Sequence, residues 1–90
     1  MVLSEAAVSF AAETVLYGYY INVSDLDSNV QKYVSSIYLS NESSGWALYI
    51  NNKYVGIKSG TVVTFDYSPN VNTYYVFTFD TSSKRATTYY

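Results

Sequence analysis

The stretch that decides the fold runs from Trp46 to Ile57 and reads Trp-Ala-Leu-Tyr-Ile-Asn-Asn-Lys-Tyr-Val-Gly-Ile. Apolar side chains alternate with others on both sides of Asn51-Asn52, which is typical of strands with one buried face. Because asparagine tolerates positive φ, this pair predicts the two-residue type I′ turn of a β-hairpin. A turn at Asn52-Lys53 would keep the same faces but shift the partners.

Three cross-strand pairs follow from a turn at Asn51-Asn52. They are Trp46–Ile57 and Leu48–Val55 on the core side, and Tyr49–Tyr54 on the outer side. Side chains directly opposite one another are the units that stabilise a sheet. The hairpin therefore predicts both a piece of the core and a piece of the surface.

The rest of the chain repeats this alternation in short runs. The predicted inward-facing sets are Val15, Tyr17, Tyr19, Ile21 and Val23; Tyr33, Ile37 and Leu39; Val63, Phe65 and Tyr67; and Tyr75, Phe77 and Phe79. Polar turns are expected at residues 24–29, 41–45, 58–60, 68–70 and 80–84, followed by a last strand over residues 85–90. This spacing predicts one all-β domain over residues 1–90: an antiparallel β-sandwich, immunoglobulin-like or jelly-roll, with seven to eight short strands.

The first thirteen residues fit two different structures. Helical spacing is shown by Leu3, Ala6, Ala7, Phe10 and Ala11, whereas Val8, Phe10 and Ala12 alternate as in a strand. The even positions of that strand conflict with the odd positions from Val15 onward, so we expect a bulge or a break near Glu13-Thr14. Residues 1–13 would then be a separate strand or short helix. Such a strand pairs either with its own sheet or with the edge of a neighbouring chain.

The residue types exclude several classes of function. Cysteine and histidine are absent, which removes disulfides, thiolate nucleophiles, Cys-based zinc sites and the Ser-His-Asp triad. Nothing in the sequence pairs two of the seven acidic residues as glycoside hydrolysis requires. We therefore expect a non-enzymatic protein with no catalytic residues, no metal and no cofactor.

Charge and hydropathy limit the classes of partner that the protein is expected to bind. The net charge is -2, and the one adjacent basic pair is Lys84-Arg85, which argues against a nucleic-acid partner. The longest apolar run, Val15 to Ile21, is far too short to span a membrane, so we expect no membrane span.

Three motifs have a functional and a plain structural interpretation. Asp25, Asp27 and Asn29 have the spacing of a calcium loop but lack its later glycine and glutamate, which favours a polar turn. Trp46, with Tyr49 and Tyr54, could stack against a sugar ring, although its alternation with Leu48 favours a place in the core. Glycosylation sequons begin at Asn22 and Asn41, and they matter only if the protein is exported.

Tyrosine dominates the predicted outer face. The chain has 12 tyrosines and only 13% charged residues. The residues predicted to point away from the core are Tyr20, Val34, Tyr38, Tyr49, Tyr54, Val62, Tyr74 and Val76. A sandwich that stays free in solution normally has polar residues there. A wide Tyr/Val surface is typical of an interface. We therefore assign an assembly surface to Tyr20, Tyr38, Tyr49, Tyr54 and Tyr74.

Two stretches carry a family resemblance, namely Thr14-Val-Leu-Tyr-Gly-Tyr-Tyr-Ile21 and Thr73-Tyr-Tyr-Val-Phe-Thr-Phe79. With no cysteine and little charge, the chain resembles small β-sandwich structural proteins of crenarchaeal virions and archaeal surface filaments, which belong to thermophiles. The resemblance is one of composition over the whole chain. It implies a location in a virion or on an extracellular surface, and leaves open an intracellular stage during assembly.

These observations predict a structural subunit of a virion or extracellular filament. Its partners would be copies of itself or other coat proteins, docked through tyrosine-rich faces and edge strands. The alternative is a carbohydrate-binding or adhesion module with a glycan as partner. A small enzyme is the third interpretation.

Overall fold

The computed structural model describes residues 11–17, 20–21 and 23–90. This part of the chain forms eight β-strands and one short α-helix. The strands are β1 (Ala11–Tyr17), β2 (Tyr20–Ile21), β3 (Ile37–Glu42), β4 (Gly45–Ile50), β5 (Lys53–Lys58), β6 (Val62–Asn70), β7 (Thr73–Asp80) and β8 (Arg85–Tyr89). Between β2 and β3 lie a 3₁₀ turn (Val23–Asp25) and helix α1 (Ser28–Gln31).

The strands form one hydrogen-bonded series in the order β5-β4-β3-β2-β1-β8-β7-β6, and every pairing is antiparallel. Strand β1 belongs to both halves of this series. Its residues from Ala11 to Val15 pair with β8, whereas Leu16 and Tyr17 pair with β2. The chain therefore forms two sheets joined through β1, one containing β2 to β5 and the other β6 to β8.

The two sheets enclose a common apolar core. From β3 and β4 come Ile37, Leu39, Leu48 and Ile50, and from β6 and β7 come Val63, Phe65, Tyr75, Phe77 and Phe79. The second sheet's rings pack on one another, for example Phe65 against Phe79 with centroids 6.0 Å apart. This confirms the prediction of an antiparallel, sandwich-like all-β fold with alternating inner faces.

The strand order is simpler than that of an immunoglobulin or jelly-roll sandwich. Those topologies contain Greek-key connections, in which a strand returns to a distant neighbour. Here every ladder joins strands consecutive in sequence, except the one between β1 and β8. The structure is thus an up-and-down meander, and the predicted connectivity is corrected at this point.

The predicted hairpin is present with one change of register. Asn51 and Asn52 have φ of 56° and 65°, as a type I′ turn requires, and Tyr49 pairs with Tyr54 as expected. Beyond that pair a β-bulge shifts the ladder, so Leu48 lies opposite Gly56. The predicted pairs Leu48–Val55 and Trp46–Ile57 are therefore wrong by one residue, because two β5 residues oppose one β4 residue. The buried face is unchanged: Leu48 is fully buried, and Val55 and Trp46 pack against the core.

The Asn51 side chain also ties the turn to the loop before β3. Its Oδ1 accepts hydrogen bonds from the backbone N–H of Ser35 at 2.7 Å and of Ser36 at 3.3 Å, and from the Ser35 hydroxyl at 3.0 Å. Its Nδ2 donates to the Tyr33 carbonyl at 2.9 Å. The residue thus serves as a turn former and as a clamp on a distant loop.

Asn51→Gly is expected to cost about 1–2 kcal/mol, because glycine keeps the positive φ but loses hydrogen bonds of about 1 kcal/mol each. Asn52→Gly is the matched control, since it makes the same change at the neighbouring turn position. Chemical unfolding of both variants measures the difference in free energy. Equal losses of unfolding free energy in the two variants would mean that the Asn51 side chain does not hold the loop before β3.

Two expectations around residues 33–37 are wrong. Val34, predicted on the outer face, is buried, and Tyr33, predicted inward, is exposed. The reason is a helical turn ahead of β3: the N–H groups of Tyr33 and Val34 both donate to the carbonyl of Val30. Helical spacing places Val30 and Val34 on one buried face, so strand alternation begins only at Ile37.

Pro69 does not end its strand. Strand β6 continues to Asn70, with an irregular register between Tyr67 and Asn70, and the turn falls at residues 71–72 instead of 68–70. Proline lacks the N–H needed for a ladder, but an edge strand with a bulge tolerates it.

The expected break at Glu13-Thr14 is also wrong. Strand β1 passes through these residues in regular register with β8 and changes partner only after Val15. Residues 11–13 therefore belong to β1. The question of a helix or a strand in residues 1–10 lies outside the described residues, as do the inward position of Tyr19 and the sequon residue Asn22.

Candidate functional site

Four tyrosines form one row across the outer face of the first sheet. Tyr20, Tyr38, Tyr49 and Tyr54 lie on β2, β3, β4 and β5, and each is the direct register partner of the next. Their ring centroids are 4.6, 6.2 and 5.7 Å apart along the row. These distances place each pair in contact range for aromatic rings. We call this set the tyrosine row.

The row follows from strand alternation in four separate segments. Ile21, Ile37 and Ile50 are buried, so the tyrosine next to each of them points to the opposite face. The two end residues, Tyr20 and Tyr54, are each 59% exposed, whereas Tyr38 and Tyr49 are half-buried between their neighbours. The row is therefore a continuous aromatic strip that is accessible from solvent.

A shallow depression lies along the row. It is lined by Tyr20, Tyr38, Ser40, Tyr49 and Asn52. None of these residues is an aspartate, glutamate, lysine or arginine, and the Ser40 hydroxyl donates to the Glu42 carboxylate. The lining offers ring faces, hydroxyls and one amide, which suits an uncharged partner and not an anion.

Tyr74, the fifth residue of the predicted assembly surface, lies apart from the row. It is on β7, in the other sheet, and its hydroxyl donates to Oδ1 of Asp66 at 2.8 Å. This hydrogen bond to the Asp66 carboxylate raises the pKa of Tyr74. The structure thus brings together four of the five predicted residues and places the fifth on a different surface.

Trp46 does not join the tyrosines in an aromatic platform. It lies on the side of β4 that faces the core and packs against the buried cluster. The plain structural interpretation of Trp46 is therefore the one that fits the structure, and the predicted sugar platform is reduced to Tyr49 and Tyr54.

The Asp-x-Asp-x-Asn motif forms a local turn. Oδ1 of Asp27 accepts the N–H of Asn29 at 2.8 Å, and Asp27 is the N-cap of α1. This backbone hydrogen bond, and then the Tyr90 hydroxyl, lower the pKa of the Asp27 carboxyl. Within residues 11–17, 20–21 and 23–90, no group of three acidic residues lies close enough to hold a metal ion.

Asp80 forms a similar turn between β7 and β8. Its Oδ1 accepts from the Ser82 hydroxyl at 2.8 Å, from the Ser82 N–H at 3.1 Å and from the Ser83 N–H at 3.3 Å. The Ser82 hydroxyl is the main reason that the pKa of Asp80 is lowered. A carboxylate that holds a turn in this way is a structural group.

The other residues singled out in the sequence do not lie together in one site. Asn41 is exposed near the end of β3, and Lys84 and Arg85 lie where β8 begins, with Lys84 at a φ of 58°. Among the described residues, no helix has the length and apolarity to cross a membrane.

The alignment of the row was not predicted from the sequence. The hairpin gave the pair Tyr49–Tyr54, but adding Tyr38 and Tyr20 requires the registers of β3 with β4 and of β2 with β3. The available signal was that Tyr20, Tyr38 and Tyr49 each lie next to an isoleucine. The depression beside Ser40 and Asn52 had no signal in the sequence.

Comparison with known proteins finds no relative of this chain. No protein-family model, no curated protein and no solved structure matches the chain.

Proposed function

We propose that the protein is a structural subunit of a virion or extracellular filament that assembles through the tyrosine row. The observation that carries this proposal is the row itself, four aligned rings on one face with both ends exposed. Tyrosine is enriched at interfaces because its ring is apolar while its hydroxyl can form a hydrogen bond with water or with a partner protein.

The low net charge of the chain supports a partner that is a copy of this chain or a similar protein. The chain is only weakly acidic, so two copies repel each other little. The tyrosine row contains no acidic or basic side chain among its four members. Two rows can therefore face each other without burying an unpaired charge between these rings. Copies of this chain, or other coat proteins with a neutral aromatic face, fit that surface.

The row alone is too small for a permanent dimer. Stable interfaces bury roughly 800 Å² per partner, whereas four partly exposed side chains on one strip offer about half of that or less. Assembly through this surface therefore needs either many copies in an array or a second contact. A virion or filament supplies both, because each subunit is held by several neighbours.

The double variant Tyr20→Ser with Tyr54→Ser is expected to weaken assembly by at least about 2 kcal/mol, which corresponds to roughly 30-fold in the dissociation constant. Both rings are mostly exposed, so the free energy of unfolding should fall much less. Light scattering over a concentration series measures assembly, and chemical denaturation measures folding.

Tyr33→Ser is the matched control, because Tyr33 is also an exposed tyrosine but lies outside the row. It should leave assembly unchanged. If the double variant assembles as well as the unaltered protein, or if the unaltered protein is monomeric at all concentrations, the proposed function is wrong.

A carbohydrate-binding or adhesion module is the second candidate. The depression lined by ring faces, a hydroxyl and the Asn52 amide favours it, because sugars present apolar ring faces edged by hydroxyls. A monomeric protein that binds on a glycan array, and loses that binding in Tyr20→Ser, would replace the first candidate with this one.

A further inference from the structure

The outer face of the second sheet carries a row of threonines. Thr64, Thr78 and Thr87 lie on β6, β7 and β8, and each is the direct register partner of the next. The residues on either side of each threonine are buried, so the three threonine side chains point outward. The hydroxyl oxygens of Thr64 and Thr78 lie 3.0 Å apart and share a hydrogen bond. We call this set the threonine row.

Short, uncharged side chains give this face its chemistry. Val62 and Val76 lie on the same face of β6 and β7, and Val62 is 55% exposed. Each threonine presents a methyl group and a hydroxyl that can both donate and accept. The hydrogen bond between Thr64 and Thr78 uses one of their two O–H donors, so the other can donate to a partner. A surface laid on this face therefore meets methyl groups and hydroxyls.

The two carboxylates next to the threonine row on β6 and β7 already have hydrogen-bond donors. Asp66 accepts from the Tyr74 hydroxyl at 2.8 Å, and Asp80 accepts from the Ser82 hydroxyl at 2.8 Å. Burying a polar group is costly mainly when it has no partner. Covering the threonine row thus leaves neither carboxylate without a hydrogen bond.

The tyrosine row and the threonine row match in repeat and in height. Both run across their strands, so both repeat at the strand spacing of about 4.8 Å. Tyrosine side chains are long and form a ridge, whereas threonine side chains are short and leave room for one. Aromatic rings also pack favourably on β-branched side chains, as they do between neighbouring strands. Two tyrosine rows facing each other would instead place a ridge against a ridge.

The positions of the two rows decide how far such a contact can extend. The two sheets enclose the core between them, so their outer faces lie on opposite sides of the molecule. Two tyrosine rows facing each other would make a contact that closes at two copies, with less area than a stable dimer needs. A tyrosine row on the threonine row of the next copy leaves one free row at each end, so the contact can repeat.

We propose that the tyrosine row of one copy packs on the threonine row of a second copy, so that subunits stack head to tail. This inference rests on the proposed function, because it names the surface that the tyrosine row binds. Each subunit inside the stack has two contacts, one on each outer face. A repeating contact of this kind builds a filament.

The first test mixes two full-length variants that each lack one of the surfaces. Thr78→Lys puts a charge in the middle of the threonine row, and Tyr20→Ser with Tyr54→Ser removes both exposed rings of the tyrosine row. Each variant alone should need at least about tenfold higher concentration to assemble than the unaltered protein. An equal mixture should form dimers and nothing larger, because each chain supplies the surface that the other lacks. Light scattering measures both.

Two controls accompany Thr78→Lys. Thr78→Val keeps the β-branched shape and should assemble like the unaltered protein, and Ser44→Lys adds the same charge at an exposed turn outside both rows. If Thr78→Lys assembles as well as Ser44→Lys, or if the mixture forms no dimers, the inference is overturned. The proposed function through the tyrosine row remains in both cases.

The second test does not depend on a lysine being tolerated. The protein has no native cysteine, so Ser40→Cys, beside the tyrosine row, and Thr64→Cys can be made in separate full chains. The two chains are mixed and joined with a short bifunctional maleimide. A product of twice the chain mass that contains one chain of each kind is expected, and each variant alone should give little of it.

The cross-linking pattern also identifies the other arrangements. A product from Ser40→Cys alone, with none specific to the mixture, would show that tyrosine rows face each other and would overturn the inference while the proposed function stands. Absence of any product from a mixture that still assembles has the same consequence. An unaltered protein that is monomeric at every concentration overturns the proposed function and the stacking together.

Discussion

Gly45→Ala is expected to lower the free energy of unfolding by about 3–5 kcal/mol. Gly45 begins β4 with φ of 142°, a conformation that side chains rarely adopt. A Cβ there would lie 2.5 Å from the Lys58 carbonyl oxygen and 2.9 Å from its carbon. Strain of about 1–3 kcal/mol adds to the cost of moving backbone in a packed pair of strands.

Gly60→Ala is the control that separates these two causes. Gly60 also has a positive φ, 117°, but an added Cβ would find its nearest atom at 3.8 Å. It should cost only the backbone strain, about 1–3 kcal/mol. Urea titrations of both variants give the two free energies. If Gly45→Ala costs no more than Gly60→Ala, β4 and β5 do not approach as closely as described.

The buried faces of the later strands could be predicted because they depend on local alternation alone. In β7, Tyr75, Phe77 and Phe79 alternate without interruption, and all three are buried. The same holds for Val63 and Phe65 in β6. A period of two places side chains on one face whatever the neighbouring strand is, so neither pairing nor topology is needed.

The failures occur where that period is interrupted by another local structure. At Val34 the N–H group still donates to the carbonyl of Val30, so spacing of four residues replaces spacing of two. At Val55 the bulge adds a residue that no pattern of polarity marks. At Pro69 the strand lies at the edge of a sheet, where the missing N–H of proline is tolerated. Of the three, the edge position of Pro69 depends on the pairing of strands that are distant in sequence.

Strand order is the feature of the fold that the sequence predicts least well. The pairing of β1 with β8 joins residues 70 to 78 positions apart, and it turns a chain of hairpins into two sheets around one core. The same order separates Tyr74 from the other four tyrosines. A list of outward residues could not distinguish one surface from two, because alternation gives the face of a strand and not its place in a sheet.

The second large effect is expected at Leu48, where Leu48→Ala should lower the free energy of unfolding by about 2–5 kcal/mol. Leu48 is fully buried in the middle of β4, between the Leu39 partner on β3 and Gly56 on β5. Gly56 contributes no side chain on that side, and the ring of Phe65 lies over it. The cost within this range therefore depends on how far the ring can relax into the cavity.

The neighbouring row provides the contrast, because Tyr49 points to the opposite side of the same strand. Tyr49→Ser removes a larger side chain but one that is only half-buried, so it should destabilise the isolated fold less than Leu48→Ala does and weaken assembly more. Unfolding by guanidinium and light scattering on the same samples compare the two variants. A cost below about 1 kcal/mol for Leu48→Ala would mean that the inner face of the hairpin is not core, and a larger folding cost for Tyr49→Ser would mean that the row belongs to the fold and not to its contacts with partners.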